Sequence, residues 1–320
     1  MTKIRSDMNA TIARTATIEA RAAEGRAGRA TRAAGRDLSA DREMVRVWSN
    51  GLDWPTIGWF VVVHLGALAA PFCFTWAGLL AFCVLSWLTG SLGVCLGYHR
   101  LLTHGSFQTF PTVRRLFGLL GTFAGEGPPI TWISVHRQHH RFSDQEGDPH
   151  SPQDGGWWSH VLWMFPRPKE PQWQTMVETY GKDVLGDPFF RLLDKTFLLW
   201  HVGLGLVLLS AGWLGWDLRT GISLLVWGLF LRLVYVLHVT WLVNSASHIW
   251  GYRNYETRDN SRNLWWVGLL AFGEGWHNNH HAFPGRAAHG HRWWEVDVTY
   301  LAILALEKVG LAWKVVRGRR

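Results

Sequence analysis

The chain has 320 residues, of which 48% are hydrophobic and 22 are tryptophan, and it carries a formal net charge of +8. Length alone allows one or two soluble domains, but an apolar, tryptophan-rich composition with a basic surplus is that of a membrane protein whose positive charge marks topology. No nucleic-acid-binding module accompanies that charge, and three cysteines, Cys73, Cys83 and Cys95, lie in or beside apolar stretches in no paired pattern, which excludes a disulfide framework.

Residues 1 to 47 are rich in Ala, Arg, Thr and Gly and have no aromatic residue, which predicts a basic, disordered cytoplasmic tail. Residues 48–320 read as one membrane domain. Apolar stretches over residues 54–74 and 76–98 predict two transmembrane helices joined by a minimal turn, and stretches over 197–214 and 222–243 predict a second hairpin. Each approaches the roughly 20 residues that cross a bilayer core of about 30 Å. Between the paired spans the only basic residue is Arg219, whereas Arg and Lys crowd every other connection. Both termini and the long segment between the hairpins are therefore expected in the cytoplasm, as in a multi-pass bacterial inner-membrane protein.

Three histidine groups follow the spans: His99 and His104 in HRLLTH, His136, His139 and His140 in HRQHH, and His277, His280 and His281 in HNNHH. Neutral imidazole is the commonest transition-metal ligand in proteins, and eight in three tight groups predict a metal site. On a helix, H-x-x-H-H puts three imidazoles on one side, so two matching claws are expected to close on one place. His99 and His104 are five apart, and both reach that place only if their helix ends or bends between them. His248, one turn after Asn244 in NSASH, is a ninth candidate. Nine nitrogens suit two metals with four or five each and open positions for an exogenous ligand. His64, His150, His160, His201, His238, His289 and His291 stand alone and read as surface or satisfied core residues.

The motifs GYHRLLTH, HRQHH with FSDQEGDPH, WWSHVLWMF, TWLVNSASHIWGYR and NLWWVGLLAFGEGWHNNHHAF resemble those of the membrane-bound fatty acyl desaturases, over residues 51–316. Related membrane hydroxylases shorten the first box by one residue; a hydroxylase, or a histidine-rich metal transporter, is the alternative reading. The resemblance is to the delta-9 type, especially the bacterial and cyanobacterial acyl-lipid group. It implies an all-α fold with four transmembrane helices and a cytoplasmic helical cap, two irons held by the nine histidines, and a water between Asn244 and one metal. It further implies O2 as co-substrate, a cis double bond as product, and a glycerolipid or CoA as acyl carrier. Thr240, Trp241 and Trp132 match the family's tunnel walls. Glu126 stands where the animal acyl-CoA enzymes have glutamine, and Ser134 and Val135 where those enzymes have an Arg-Asp pair that binds CoA. Trp87, Ser91 and Cys95, four residues apart, are expected to form a stripe at the closed end of the tunnel. With no dinucleotide fingerprint or haem domain, electrons are expected from a separate ferredoxin or cytochrome b5-like carrier.

Overall fold

The structure, a computed structural model, describes residues 48–318; the tail predicted for residues 1–47 lies outside the described residues. Helix α1, Trp54–Ala67, is capped by Asp53, which accepts a hydrogen bond from the Thr56 amide, and it has Pro55 in its first turn. It has 14 residues. A one-turn 3-10 segment, Ala70–Cys73, follows. The expected span over residues 54–74 is thus two pieces, because Pro71 cannot supply the amide that would continue α1.

Thr75 caps α2, Trp76–Ser86, by accepting from the Gly78 amide. The helix then continues without a break as a π-helix, Trp87–Thr103. Together they form a 28-residue apolar rod, one of three helices among the described residues long and apolar enough to cross a membrane. The other two are α9, Phe197–Gly215, close to its predicted bounds, and a rod from Leu218 to Ile249, longer than predicted at both ends. That rod comprises α10 (Leu218–Leu225), a π turn (Val226–Leu231), α11 (Arg232–Asn244) and α12 (Ala246–Ile249). The α9–α10 hairpin closes tightly: a Cβ on Gly212 would lie 2.6 Å from the Gly221 Cα. Along α9 the side chains of Leu198, Leu199, Val202, Leu206 and Val207 are exposed, which suits contact with lipid.

Between these rods lie α3 (Pro111–Thr122), α4 (Pro129–Phe142), α5 (Gly156–His160), α6 (Glu170–Tyr180), α7 (Lys182–Leu185) and α8 (Pro188–Lys195). After them come α13 (Trp265–Leu270), α14 (His277–Ala282) and α15 (Val298–Lys308). The only sheet among the described residues pairs Gln108–Thr109 with Ala312–Trp313. Two of the apolar cores tie these elements together. One packs Phe60 and Val63 of α1 against Leu233, Leu237 and Trp241 of α11, and the other packs Leu96 and Leu101 of the π-helix against Phe117 of α3 and Ile303 of α15.

Candidate metal centre

The first histidine box sits on the π-helix, and this removes the break expected between His99 and His104. The His104 amide bonds to the His99 carbonyl at 3.1 Å, so a hydrogen bond closes over five residues instead of four. Residues five apart then stay on one face. The ring centroids of His99 and His104 are 4.9 Å apart.

Nine histidines form two groups, within each of which the candidate ligand nitrogens all lie within 4.8 Å of one another. His99, His104, His136, His140 and His280 make one; His139, His248, His277 and His281 make the other. Each H-x-x-H-H helix therefore serves both groups, which corrects the expectation of two claws closing on one place. The reason is angular. At about 100° per residue, positions four apart differ by about 40° and stay together, as His136 with His140 and His277 with His281 do, whereas the middle histidine swings away.

Ring nitrogens face each other across each group: Nε2 of His99 and His280 at 3.1 Å, of His136 and His140 at 3.1 Å, and of His248 and His277 at 3.0 Å. The buried Nε2 atoms of His104, His139 and His281 have no hydrogen-bond partner. A buried nitrogen without a partner costs on the order of 1–3 kcal/mol, and a metal ion in each group would remove that cost. Burial, reinforced by neighbouring histidines, pushes His136, His140, His277 and His280 well below the ordinary imidazole value. Burial likewise lowers His281 to about 4. Neutral rings offer lone pairs, as a metal requires.

Carboxylates behind the rings orient them. Asp148 takes the Nδ1 of His139, Asp144 that of His248 and Asp259 that of His281, each at 2.9 Å, and Glu274 takes that of His99 at 2.8 Å. Such contacts fix the tautomer so that Nε2 is left for the metal. Glu274 also meets His289 Nδ1 at 2.9 Å and the fully buried Arg100 at 2.9 Å. Despite burial, His289, Arg100 and His99 hold the Glu274 carboxyl well below its usual range. It is framed by glycines for want of room: a Cβ on Gly273, whose φ is +112°, would lie 2.5 Å from Asp297, and one on Gly275 would lie 2.1 Å from the Gly268 amide. Asn278 and Asn279, between the histidines of HNNHH, clamp the loop at Asn254. The Asn254 and Tyr255 amides donate to Asn278 Oδ1, and the Asn254 side chain donates to Asn279 Oδ1.

Sequence reasoning missed these carboxylates and the two accessory histidines. His150 stacks on His139 at 4.2 Å, and His289 lies 4.4 Å from His280. The signal for Asp144, Asp148 and His150 was the acid-rich FSDQEGDPH just after the second box, and that for Glu274 was its place three residues before HNNHH; Asp259 and His289 had no local signal.

A cavity of about 300 Å³ opens beside the nitrogens, with His99, His136, His150 and His277 on its wall. Its lining includes Glu126, Trp132, Thr240, Trp241 and Asn244, and otherwise it is mostly apolar, with Phe60, Val94, Val236, Val239 and Phe272. Trp132 stacks on His136 at 4.9 Å. Glu126 accepts from the Trp132 indole at 3.0 Å, and burial pushes its carboxyl up to about 8. The expected stripe is not at this wall. Trp87 is 41% exposed and Ser91 meets Thr299 at 3.1 Å; only Cys95 of the three reaches the cavity, beside Gly90 and Val94.

A profile of the fatty acid desaturase family matches residues 74–297. The chain is 46% identical over 267 residues to the sn-1 stearoyl-lipid 9-desaturase of Anabaena variabilis, covering 82% of this chain and 94% of that protein. It is 46% identical over 270 residues to the sn-2 palmitoyl-lipid 9-desaturase of a Nostoc species, covering 84% and 92%. To the chloroplastic palmitoyl-monogalactosyldiacylglycerol delta-7 desaturase of Arabidopsis thaliana it is 40% identical over 283 residues, covering 86% and 72%.

Proposed function

The chain belongs to the fatty acid desaturase family, and from that premise we propose that it is an O2-dependent di-iron desaturase that places a cis double bond at the delta-9 position of a saturated chain carried on a glycerolipid. The observation that carries the reading is the opening of two histidine groups into one apolar cavity. A saturated methylene has no acidic proton and no leaving group, so acid–base or nucleophilic groups have nothing to act on. Two irons, held by the five-histidine and the four-histidine groups with Asn244 contributing through a water, would supply the oxidising power to remove two hydrogens.

The protein's own part is to hold rings and substrate still. The carboxylates hold the imidazoles, and the cavity wall holds the chain, because neighbouring methylenes differ only in place. Trp132, stacked on His136, ties that wall to the centre, so a chain lying along the indole is registered against the metals. Glu126, protonated near neutrality, keeps a buried charge out of the path of an apolar substrate.

A lipid carrier is preferred to CoA because Ser134 and Val135 are buried, and the Ser134 hydroxyl donates to the Ile130 carbonyl at 2.7 Å. Neither offers a charged group to a CoA end. Two relatives of equal identity are named for different lipid positions and chain lengths, so delta-9 is carried by their shared name and chain length is open to assay. Electrons arrive from a separate ferredoxin or cytochrome b5-like protein. The topology proposed is four spans, with Trp54–Ala67 and the turn after it as the shortest, and with both termini and the metals on the cytoplasmic side of a bacterial inner membrane.

The test is expression in a host lacking the activity, followed by mass spectrometry of intact lipids and of methyl esters with double-bond location. A new delta-9 cis bond on glycerolipid within minutes of labelling, before any appears on CoA, is the expected result. Hydroxylated chains, or label appearing first on CoA, would contradict it.

A further inference from the structure

Three of the histidines that stand alone in sequence meet in space, away from both metal groups. His64 of α1, His238 of α11 and His160 of α5 form one row. The Phe60 carbonyl meets His64 Nδ1 at 2.7 Å, His64 Nε2 meets His238 Nε2 at 3.1 Å, and His238 Nδ1 meets His160 Nε2 at 3.1 Å. His160 Nδ1 then meets the Ser245 hydroxyl at 3.0 Å, and that hydroxyl meets the Trp241 carbonyl at 2.8 Å. All six ring nitrogens are used, and every ring uses its two nitrogens on opposite neighbours. That is the pattern of a proton-bearing row and not of a chelate, whose nitrogens would converge.

Counting hydrogens decides its charge. The row has five contacts that each need one hydrogen. Three neutral imidazoles and one hydroxyl bring four, since a neutral ring carries one N–H and both terminal carbonyls can only accept. Whichever four contacts are filled, the fifth sets two lone pairs against each other at about hydrogen-bond distance. One additional proton fills all five.

We propose that His64, His238 and His160 are a proton-binding site that holds one excess proton, shared along the row, at neutral pH. Apolar side chains of α1, α11 and the segment after α5 pack beside the row, among them Phe60, Val63, Leu237 and Trp241, and no carboxylate among the described residues pairs with any of the rings. Burial therefore opposes the charge, and it lowers His160 from its ordinary value while the facing Trp241 carbonyl pushes the other way. The hydrogen count outweighs burial because the neutral row cannot satisfy its own contacts. A proton shared in this way belongs to the row and to no single ring.

The position gives the site a consequence. Trp241, a wall of the acyl cavity, touches the edges of His238 and His160 at 5.0 and 5.7 Å between ring centroids. The charged row joins α1, α11 and α5 behind that wall.

The same count supplies the test. In His64→Phe three contacts remain for the three hydrogens of His238, His160 and Ser245, and in Ser245→Ala three contacts remain for three imidazole hydrogens; each variant is complete when neutral. Full-length, metal-loaded protein in lipid nanodiscs, labelled with 15N-histidine, is read by solid-state NMR at pH 7.4. The expected result is an imidazolium signal, with both nitrogens protonated, equivalent to one ring in the wild type and lost in both variants. If one variant does not fold, the other, at the opposite end of the row, carries the test. Absence of that signal from the wild type, or its retention in a folded variant, would overturn the proposal. Because the readout is charge and not turnover, its failure is separate from failure of the desaturase reading.

Discussion

At the scale of single residues the centre depends on which nitrogen each ring presents. Replacing one of the nine histidines with Ala removes a proposed ligand, so desaturation is expected to fall below detection while the protein still inserts into membranes, as product assay and membrane fractionation would record. The carboxylates behave differently. Asp148→Asn and Asp259→Asn keep the size and a hydrogen-bonding atom but lose the charge that fixes the tautomers of His139 and His281. A loss of about 10- to 100-fold in activity or iron affinity is expected for each. Glu126 gives a pH signature. Its carboxyl is raised to about 8 by burial, above its unfolded value of about 4.3. Between these values the folded state binds the extra proton, so Glu126's contribution to stability is present at low pH and is lost as pH rises through about 8, with a limiting slope of about 1.4 kcal/mol per pH unit. Melting temperatures of Glu126→Gln across pH 5 to 8.5 should fall less steeply than those of the wild type. Equal slopes would mean the carboxyl is not buried in its neutral form.

At the scale of elements, the α2 rod shows what was legible and what was not. Its apolar run, and the place where it meets the first histidine box, could be read directly. Its winding could not, because π and α segments share the same composition and differ in hydrogen-bond register alone. That difference brings His99 and His104 to one group; on the same rod Ser91 meets Thr299 and Trp87 lies outside the cavity. Gly90 faces Phe272 instead: a Cβ there would lie 2.7 Å from the ring. Trp87→Ala is therefore expected to leave the ratio of longer to shorter unsaturated products unchanged. Phe272→Ala should move it towards longer chains by deepening the cavity. Gas chromatography of methyl esters at matched protein levels checks both. The H-x-x-H-H helices were legible as ligand-bearing, yet their division between two groups was not, since sequence spacing fixes angles on one helix and says nothing of where its neighbours lie.

At the scale of the whole molecule, the three longest helices among the described residues and the gathering of all nine histidines follow the apolar and histidine patterns closely. The parts that escaped are long-range: Glu274 reaches His99 across 175 positions of chain and Arg100 across 174, contacts no local pattern encodes. Arg100, buried with Glu274, Asp297 and the Ala287 carbonyl as partners, joins the first membrane rod to the C-terminal segment. Arg100→Met leaves two buried carboxylates short of a cation, and a loss of about 3–5 kcal/mol is expected, visible as a lower melting temperature in detergent. The central claim is that two separate histidine groups each hold one iron, and iron content per chain tests it most directly. Protein purified without oxygen or chelator should carry two irons, and His139→Ala and His136→Ala, one from each group, should each lower the count towards one. A wild type that saturates at a single iron, or variants that both keep two, would contradict it.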